Sequence, residues 1–100
     1  MATTTKALVR TAAATSSATL YTVPSATTTV VTNIVVNNAA SSAGTFTLTF
    51  DGIDVFTTTA IAANSTAMFD LKQVMATTKI IAGFASATTV KFHISGVEIA

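Results

Sequence analysis

The feature of this sequence that most constrains its fold is the strict alternation of apolar side chains with threonine in residues 45–50, TFTLTF. Successive side chains of a β-strand point to opposite faces, so this pattern predicts a strand with one face in a core and one covered by hydroxyl groups. The dipeptide Asp51-Gly52 follows at once and readily adopts the positive φ angles of a type I′ turn. We therefore expect a β-hairpin whose second strand begins at Ile53.

The chain from residue 18 onward contains further segments with the composition of short strands. Runs of β-branched and aromatic residues are separated by Asn, Gly, Ser or Ala at intervals of about ten residues, which is typical of all-β domains. The pattern predicts seven or eight strands and very little helix, with room for one helical turn at residues 72–78. Short strands hide their apolar faces when two sheets pack together, so we predict an all-β, antiparallel β-sandwich of jelly-roll or immunoglobulin-like kind. The predicted strands are residues 20–23, 27–37, 45–50, 53–57, 66–71, 79–84 and 89–99.

The last predicted strand changes the parity of its apolar residues. Phe92 and Ile94 are even-numbered, whereas Val97 and Ile99 are odd-numbered. A β-bulge at residues 95–96 would place both pairs on the core face, because one extra residue exchanges the two faces of a strand. The predicted core consists of Leu20, Val23, Val30, Ile34, Val36, Phe46, Leu48, Phe50, Phe69, Leu71, Ile80, Phe84, Phe92, Ile94 and Val97.

The first residues of the chain differ in composition from the rest. Residues 1–17 are mostly Thr, Ala and Ser, and they show no sustained apolar period of two or of 3.6 residues. We therefore predict two parts, an extended N-terminal arm at residues 1–17 and a β-sandwich domain at residues 18–100.

The predicted arm is also the candidate interaction segment. A segment without an amphipathic pattern does not repay the entropy of ordering itself, so we expect it to run along a neighbouring subunit and add to a sheet edge. In this hypothesis Leu8 and Val9 are apolar anchors, and Lys6 and Arg10 pair with acidic groups of the partner.

Composition indicates a protein that works within an assembly. Half of the residues are hydrophobic, 9% are charged and the mean hydropathy is +0.64, whereas about 25% of residues in a typical soluble domain are charged. Val31, Val35 and Phe56 also fall on the strand face opposite the predicted core. Such apolar surface needs a cover, and we expect self-association, most simply as a homotrimer.

Charge and hydropathy exclude other partners. A net charge of +1 provides no basic surface for the phosphates of a nucleic acid. No apolar run reaches the ~18 residues of a membrane span, and no secretory apolar region follows Lys6. The absence of cysteine rules out a disulfide framework. We expect no nucleic-acid partner, no membrane partner and synthesis in the cytoplasm of the producing cell.

The residues that could take part in catalysis or metal binding lack the partner residues that such sites require. His93 is the single histidine, and neither a nucleophile-elbow motif nor a metalloprotease motif accompanies it, so we interpret it as a surface or interface residue. Asp51 and Asp54 belong to the turn region and lack the further oxygen ligands of a calcium loop. A carbohydrate-binding module is disfavoured because Trp is absent and Tyr21 is the only tyrosine. We predict no enzymatic activity, no cofactor and no metal site.

Three segments resemble small virion proteins of tailed bacteriophages: LYTVPSATTTVVTNIVVNNAASSAGTFTLTFDG, IAANSTAMFDLKQVM and VKFHISGVEI. The resemblance covers roughly residues 20–99 and implies a β-sandwich that decorates or cements a capsid, or else belongs to a tail, neck or fibre. It transfers no catalytic residue. Among these locations we favour the capsid surface, where the chain would be a decoration or cement protein that binds the major capsid protein and stabilises the head lattice. A tail, neck or fibre adaptor is the alternative.

Overall fold

The computed structural model of the chain describes residues 2–100 and is built entirely from β-strands and turns. The strands are β1 Thr3–Ala12, β2 Ala18–Thr22, β3 Thr28–Asn38, β4 Gly44–Phe50, β5 Ile53–Ile61, β6 Ser65–Met75, β7 Ile80–Ala85 and β8 Val90–Ile99. This confirms the prediction of an all-β fold with seven or eight strands. The helical turn predicted at residues 72–78 is wrong, because β6 continues to Met75 and residues 2–100 contain no helix.

The strands form two antiparallel sheets of four strands each, packed as a β-sandwich. The first sheet has the order β1-β8-β3-β6 and the second sheet has the order β2-β7-β4-β5. The pairs β1–β8, β2–β7, β3–β6 and β4–β5 nest inside one another, as they do when one long antiparallel ribbon is wrapped into a barrel. This is the topology of a jelly roll, so the structure selects one of the two sandwiches that the sequence left open.

The predicted hairpin joins β4 to β5. Asp51 has a φ of 57° and Gly52 a φ of 76°, which places both central residues of the turn in the left-handed region required by type I′. The alternation in β4 is also as predicted, because its large apolar side chains are buried between the sheets. Ile53 is therefore the first residue of β5 and directly follows the turn.

Most of the predicted core residues lie between the two sheets. Those that are buried are Val23, Ile34, Val36, Phe46, Leu48, Phe50, Phe92 and Ile94. Leu20, Phe69 and Leu71 are half-buried and pack against them. Phe56 was expected on the opposite face, but its ring packs 4.5 Å from that of Phe69 and 5.5 Å from that of Phe46. The expected core positions of Val30, Ile80, Phe84 and Val97 are wrong, because these side chains are not among the buried residues.

A β-bulge in β3 explains why Val30 faces outward and why Val31 faces the core. The pairing of β3 with β8 skips Thr32, so Val31 and Ile34 both point inward and are fully buried. Before the bulge the odd-numbered residues face the core, which turns Val30 outward. The prediction that Val31 lies on the opposite face is therefore also wrong.

The bulge predicted within β8 lies instead in the neighbouring strands. β8 itself alternates without interruption, and the register shifts occur in its neighbours: in β3 opposite Gly96 and Ser95, and in β1 opposite Ser95 and Ile94. Val97 consequently points away from the core. Gly96 is buried, and a Cβ at this position would lie 2.3 Å from the carbonyl oxygen of Val30, so the close approach of β3 requires glycine.

The inner face of β7 carries small residues. Ile81 and Ala85 face the core together with Gly83, where an added Cβ would lie 2.7 Å from Cδ2 of Leu48. Because Leu48 fills this space, the larger side chain of Phe84 takes the outer face.

The structure corrects the predicted N-terminal arm for residues 3–12. This segment is β1, which pairs with β8 of the same chain from Thr3 to Ala12, and Leu8 and Val9 are buried in the core. The register shift at Leu8 brings these two consecutive side chains to the same face. The apolar residues of this strand therefore do not alternate along the sequence with a period of two, because the bulge places two neighbouring residues on one face. The edge of β8 supplies the hydrogen bonds that order it.

Candidate interaction surface

The outer faces of the two sheets differ in chemistry. On the first sheet Val97, Val30 and Val74 are cross-strand neighbours on β8, β3 and β6, and they form an aliphatic row across the outer face. Met68 on β6 lies on the same face opposite Val35, and its side chain is 73% exposed. This outer face therefore exposes aliphatic side chains, such as Met68 and Val74, of the kind that domains ordinarily bury.

The outer face of the second sheet is rich in threonine. Thr19, Ala82 and Thr49 lie side by side on β2, β7 and β4, and Thr47 lies beside Phe84. The hydroxyl of Thr49 donates to the carbonyl of Ala82, and that of Thr47 accepts the backbone N–H of Thr58. Hydroxyl groups on this face can bond to water as well, so it is the more easily hydrated side of the sandwich.

The tip of the β4–β5 hairpin carries an exposed isoleucine between two carboxylates. Ile53 is 70% exposed, and Asp51 and Asp54 stand on either side of it. Asp51 forms an ion pair with Lys79 at 3.6 Å, whereas Asp54 accepts a hydrogen bond from the hydroxyl of Thr57 at 2.6 Å and has no ion pair within residues 2–100. We call the segment of residues 51–54 the acidic tip.

A basic depression lies on the β1–β8 half of the first sheet's outer face. Its volume is about 360 Å³, and it sits where β1 and β3 each carry a bulge residue. Val97 and Ala7 give it an apolar lining, and Arg10 supplies positive charge; Lys6 also lines it, but its ammonium group is paired with Glu98. Arg10 is exposed and has no ion pair among the described residues. We call this feature the basic depression.

A polar network beneath one end of the sandwich connects the sheets. Lys6 Nζ lies 3.4 Å from Glu98 Oε2, and the hydroxyl of Tyr21 on β2 donates to the same carboxylate. The Tyr21 oxygen also lies 2.8 Å from the hydroxyl of Thr29 on β3. Burial of the phenol and its hydrogen bond to Glu98 raise the pKa of Tyr21 from 10 to about 12. These contacts tie β2 of the second sheet to β8 and β3 of the first.

The structure separates the four predicted interaction residues into two pairs. Lys6 and Arg10 are on the surface and line the same depression. Leu8 and Val9 are buried in the chain's own core, so the prediction that they anchor the segment on a neighbour is wrong. The sequence reasoning missed Ile53 as a surface residue, although its place directly after a tight turn indicated an exposed position.

His93 lies on the outer face of the first sheet. Its cross-strand neighbours are Arg10 on β1 and Val35 on β3. Residues 2–100 contain no cluster of three or more His, Cys, Asp or Glu side chains that could hold a metal ion. The imidazole is therefore placed among surface side chains of this face.

The fold and these surfaces describe an eight-stranded jelly-roll sandwich with one aliphatic and one threonine-rich outer face. Comparison of the chain with protein-family models gives no match, and comparison with curated protein sequences gives none either. The part of the chain that the structure describes contains no helix capable of spanning a membrane.

Proposed function

We propose that this chain is a structural protein of a bacteriophage virion, a capsid decoration protein that binds the head lattice and stabilises it. The observation that carries the proposal is the contrast between the outer faces: one bears the aliphatic row and an exposed Met68 among polar and charged residues, and the other is rich in threonine. A protein lying flat on a lattice needs one face that is buried by the lattice and one that stays in water. The resemblance to phage virion proteins supports the same role, and jelly rolls recur in viral capsid domains.

The dimensions of the aliphatic face suit such a contact. Four strands about 4.8 Å apart and ten residues long at about 3.3 Å per residue span roughly 600 Å². A specific interface buries about 800 Å² on each partner, so a lattice contact of that size would also take in residues around the rim of the sheet. The role needs no catalytic residue, and its location is the capsid surface after synthesis in the host cytoplasm.

Binding to undecorated capsids tests the proposal. We expect the purified protein to co-sediment with heads that lack it, in many copies that track the capsid lattice, and to raise the temperature at which the heads rupture. Met68→Lys places a charge on the aliphatic face and should weaken binding, whereas Thr19→Lys places the same charge on the exposed threonine face and should leave binding intact.

Two results would contradict the decoration role. Equal binding by the Met68 and Thr19 variants would show that the aliphatic face does not contact the lattice. A single small ring of copies on each particle would place the protein in a neck, portal or tail, which is the alternative function.

A further inference from the structure

We infer that the basic depression receives the acidic tip of a second copy of this chain. This inference deepens the proposed function and rests on it, because a decoration protein acts as many copies side by side. The two surfaces lie on different parts of the sandwich. The tip is the β4–β5 turn of the second sheet, and the depression is on the outer face of the first sheet.

Charge complementarity identifies a second copy as the occupant. Asp51 of the tip is already paired with Lys79, and Lys6 of the depression is already paired with Glu98, so Asp54 and Arg10 are the charges that these two surfaces can offer to each other. Asp54 and Arg10 have no ion pair within the described chain. A contact between copies would bring these two charges together and give Ile53 an apolar environment.

The shapes of the two surfaces also match. The tip projects at a two-residue turn, and its isoleucine is 70% exposed. The depression, at about 360 Å³, has room for this four-carbon side chain between Val97 and Ala7. An exposed aliphatic side chain that a partner would cover, with charged groups around it, has the anatomy of an interface hot spot.

The contact joins two different surfaces, and we expect it to be heterologous instead of being made twice within a two-fold dimer. Each copy would offer its tip to one neighbour and its depression to another, and such contacts generate a closed ring when the rotation closes. The homotrimer expected from the composition is the smallest such ring. The depression occupies the β1–β8 half of the face and includes Val97, so with this contact made the lattice would bind the β3–β6 half, which carries Val30, Val74 and Met68.

Sedimentation of purified variants without capsids tests the contact. We expect the wild-type protein to form an oligomer larger than a dimer at micromolar concentration. Ile53→Ser should raise the dissociation constant at least about tenfold. Met68→Ser is the matched control, because Met68 is 73% exposed and lies outside the depression. Its association should equal that of the wild type.

Charge reversal tests the pairing itself. Arg10→Asp and Asp54→Arg should each dissociate the oligomer, and the double variant should restore it because the pair is re-formed with exchanged signs. Lys91→Asp makes the same change of charge on the same face outside the depression and should have no effect. Circular dichroism of every variant confirms that a loss of association is not a loss of fold.

The outcomes separate this inference from the proposed function. A wild-type protein that is monomeric at every concentration, or a double variant that stays dissociated, would overturn the contact between tip and depression. Association that depends on Ile53 and Arg10 in a protein that fails to bind capsids would support the contact and reject the decoration role. Capsid binding that is lost in Met68→Lys but unchanged in Ile53→Ser would support decoration without this contact and overturn the inference.

Discussion

The ring of Phe46 joins the two sheets, and its removal is the sharpest test of the packing. The side chain is 1% exposed, and its centroid lies 5.5 Å from that of Phe56, 6.2 Å from Phe92 and 6.4 Å from Phe69. Phe56 belongs to the second sheet, whereas the other two rings belong to the first. Phe46→Ala therefore leaves a cavity at the centre of the sandwich.

The expected cost of Phe46→Ala follows from this environment. A fully buried phenylalanine replaced by alanine costs about 3–5 kcal/mol, which includes the transfer of the ring and the cavity it leaves. Three aromatic neighbours place Phe46 towards the upper end of that range. A domain of about 100 residues has a free energy of unfolding of roughly 5–15 kcal/mol. At about 4–8 °C for each kcal/mol, a loss of about 4 kcal/mol lowers Tm by roughly 15–30 °C.

Urea denaturation followed by far-ultraviolet circular dichroism measures this loss, and Phe84→Ala is the matched control. Phe84 loses the same atoms, but it is half-buried on the outer face of the second sheet. We expect its free energy of unfolding to fall by about 1 kcal/mol. If the two variants lose equal stability, or if Phe46→Ala loses less than about 1 kcal/mol, then the assignment of inner and outer faces is wrong.

Four further substitutions test the strand pairing and the polar network. Leu8→Ala should cost about 2–5 kcal/mol in urea denaturation, because β1 is part of the core, whereas a free arm would show no change. Gly96→Ala should lower the free energy of unfolding by about 1–3 kcal/mol, since its Cβ would meet a backbone oxygen of β3 at 2.3 Å. Gly44→Ala, whose nearest contact would be the side-chain oxygen of Ser86 at 3.0 Å, should cost less in the same urea denaturation experiment. The raised pKa of Tyr21, about 12, predicts that wild-type stability is retained below pH 10 and falls between pH 10 and 12, as the unfolded chain ionises first. This loss should be smaller in Tyr21→Phe, and identical urea midpoints against pH for both proteins would refute a buried, hydrogen-bonded phenol.

Part of the interaction surface could be recognised in the sequence, and part could not. Lys6 and Arg10 were identified as candidate contact residues because they are the cations of residues 1–17, the segment predicted to be an arm that binds a neighbouring subunit. Their joint position on one depression depends on the pairing of β1 with β8, which brings Val97 beside them. That pairing joins the two ends of the chain, and a local pattern carries no information about such distant partners.

The amino-acid sequence by itself determined the fold class and the hairpin of this protein. The alternation of TFTLTF and the Asp51-Gly52 turn are local, because a period of two and two positive φ angles depend on the residues themselves. The tertiary structure decided the jelly-roll order of the strands, the entry of β1 into the core and the outward turn of Val30 and Val97. The physical reason is that each of these features depends on pairing between distant segments: a β-bulge exchanges the two faces of a strand, and the partner strand across the sheet decides whether and where it occurs.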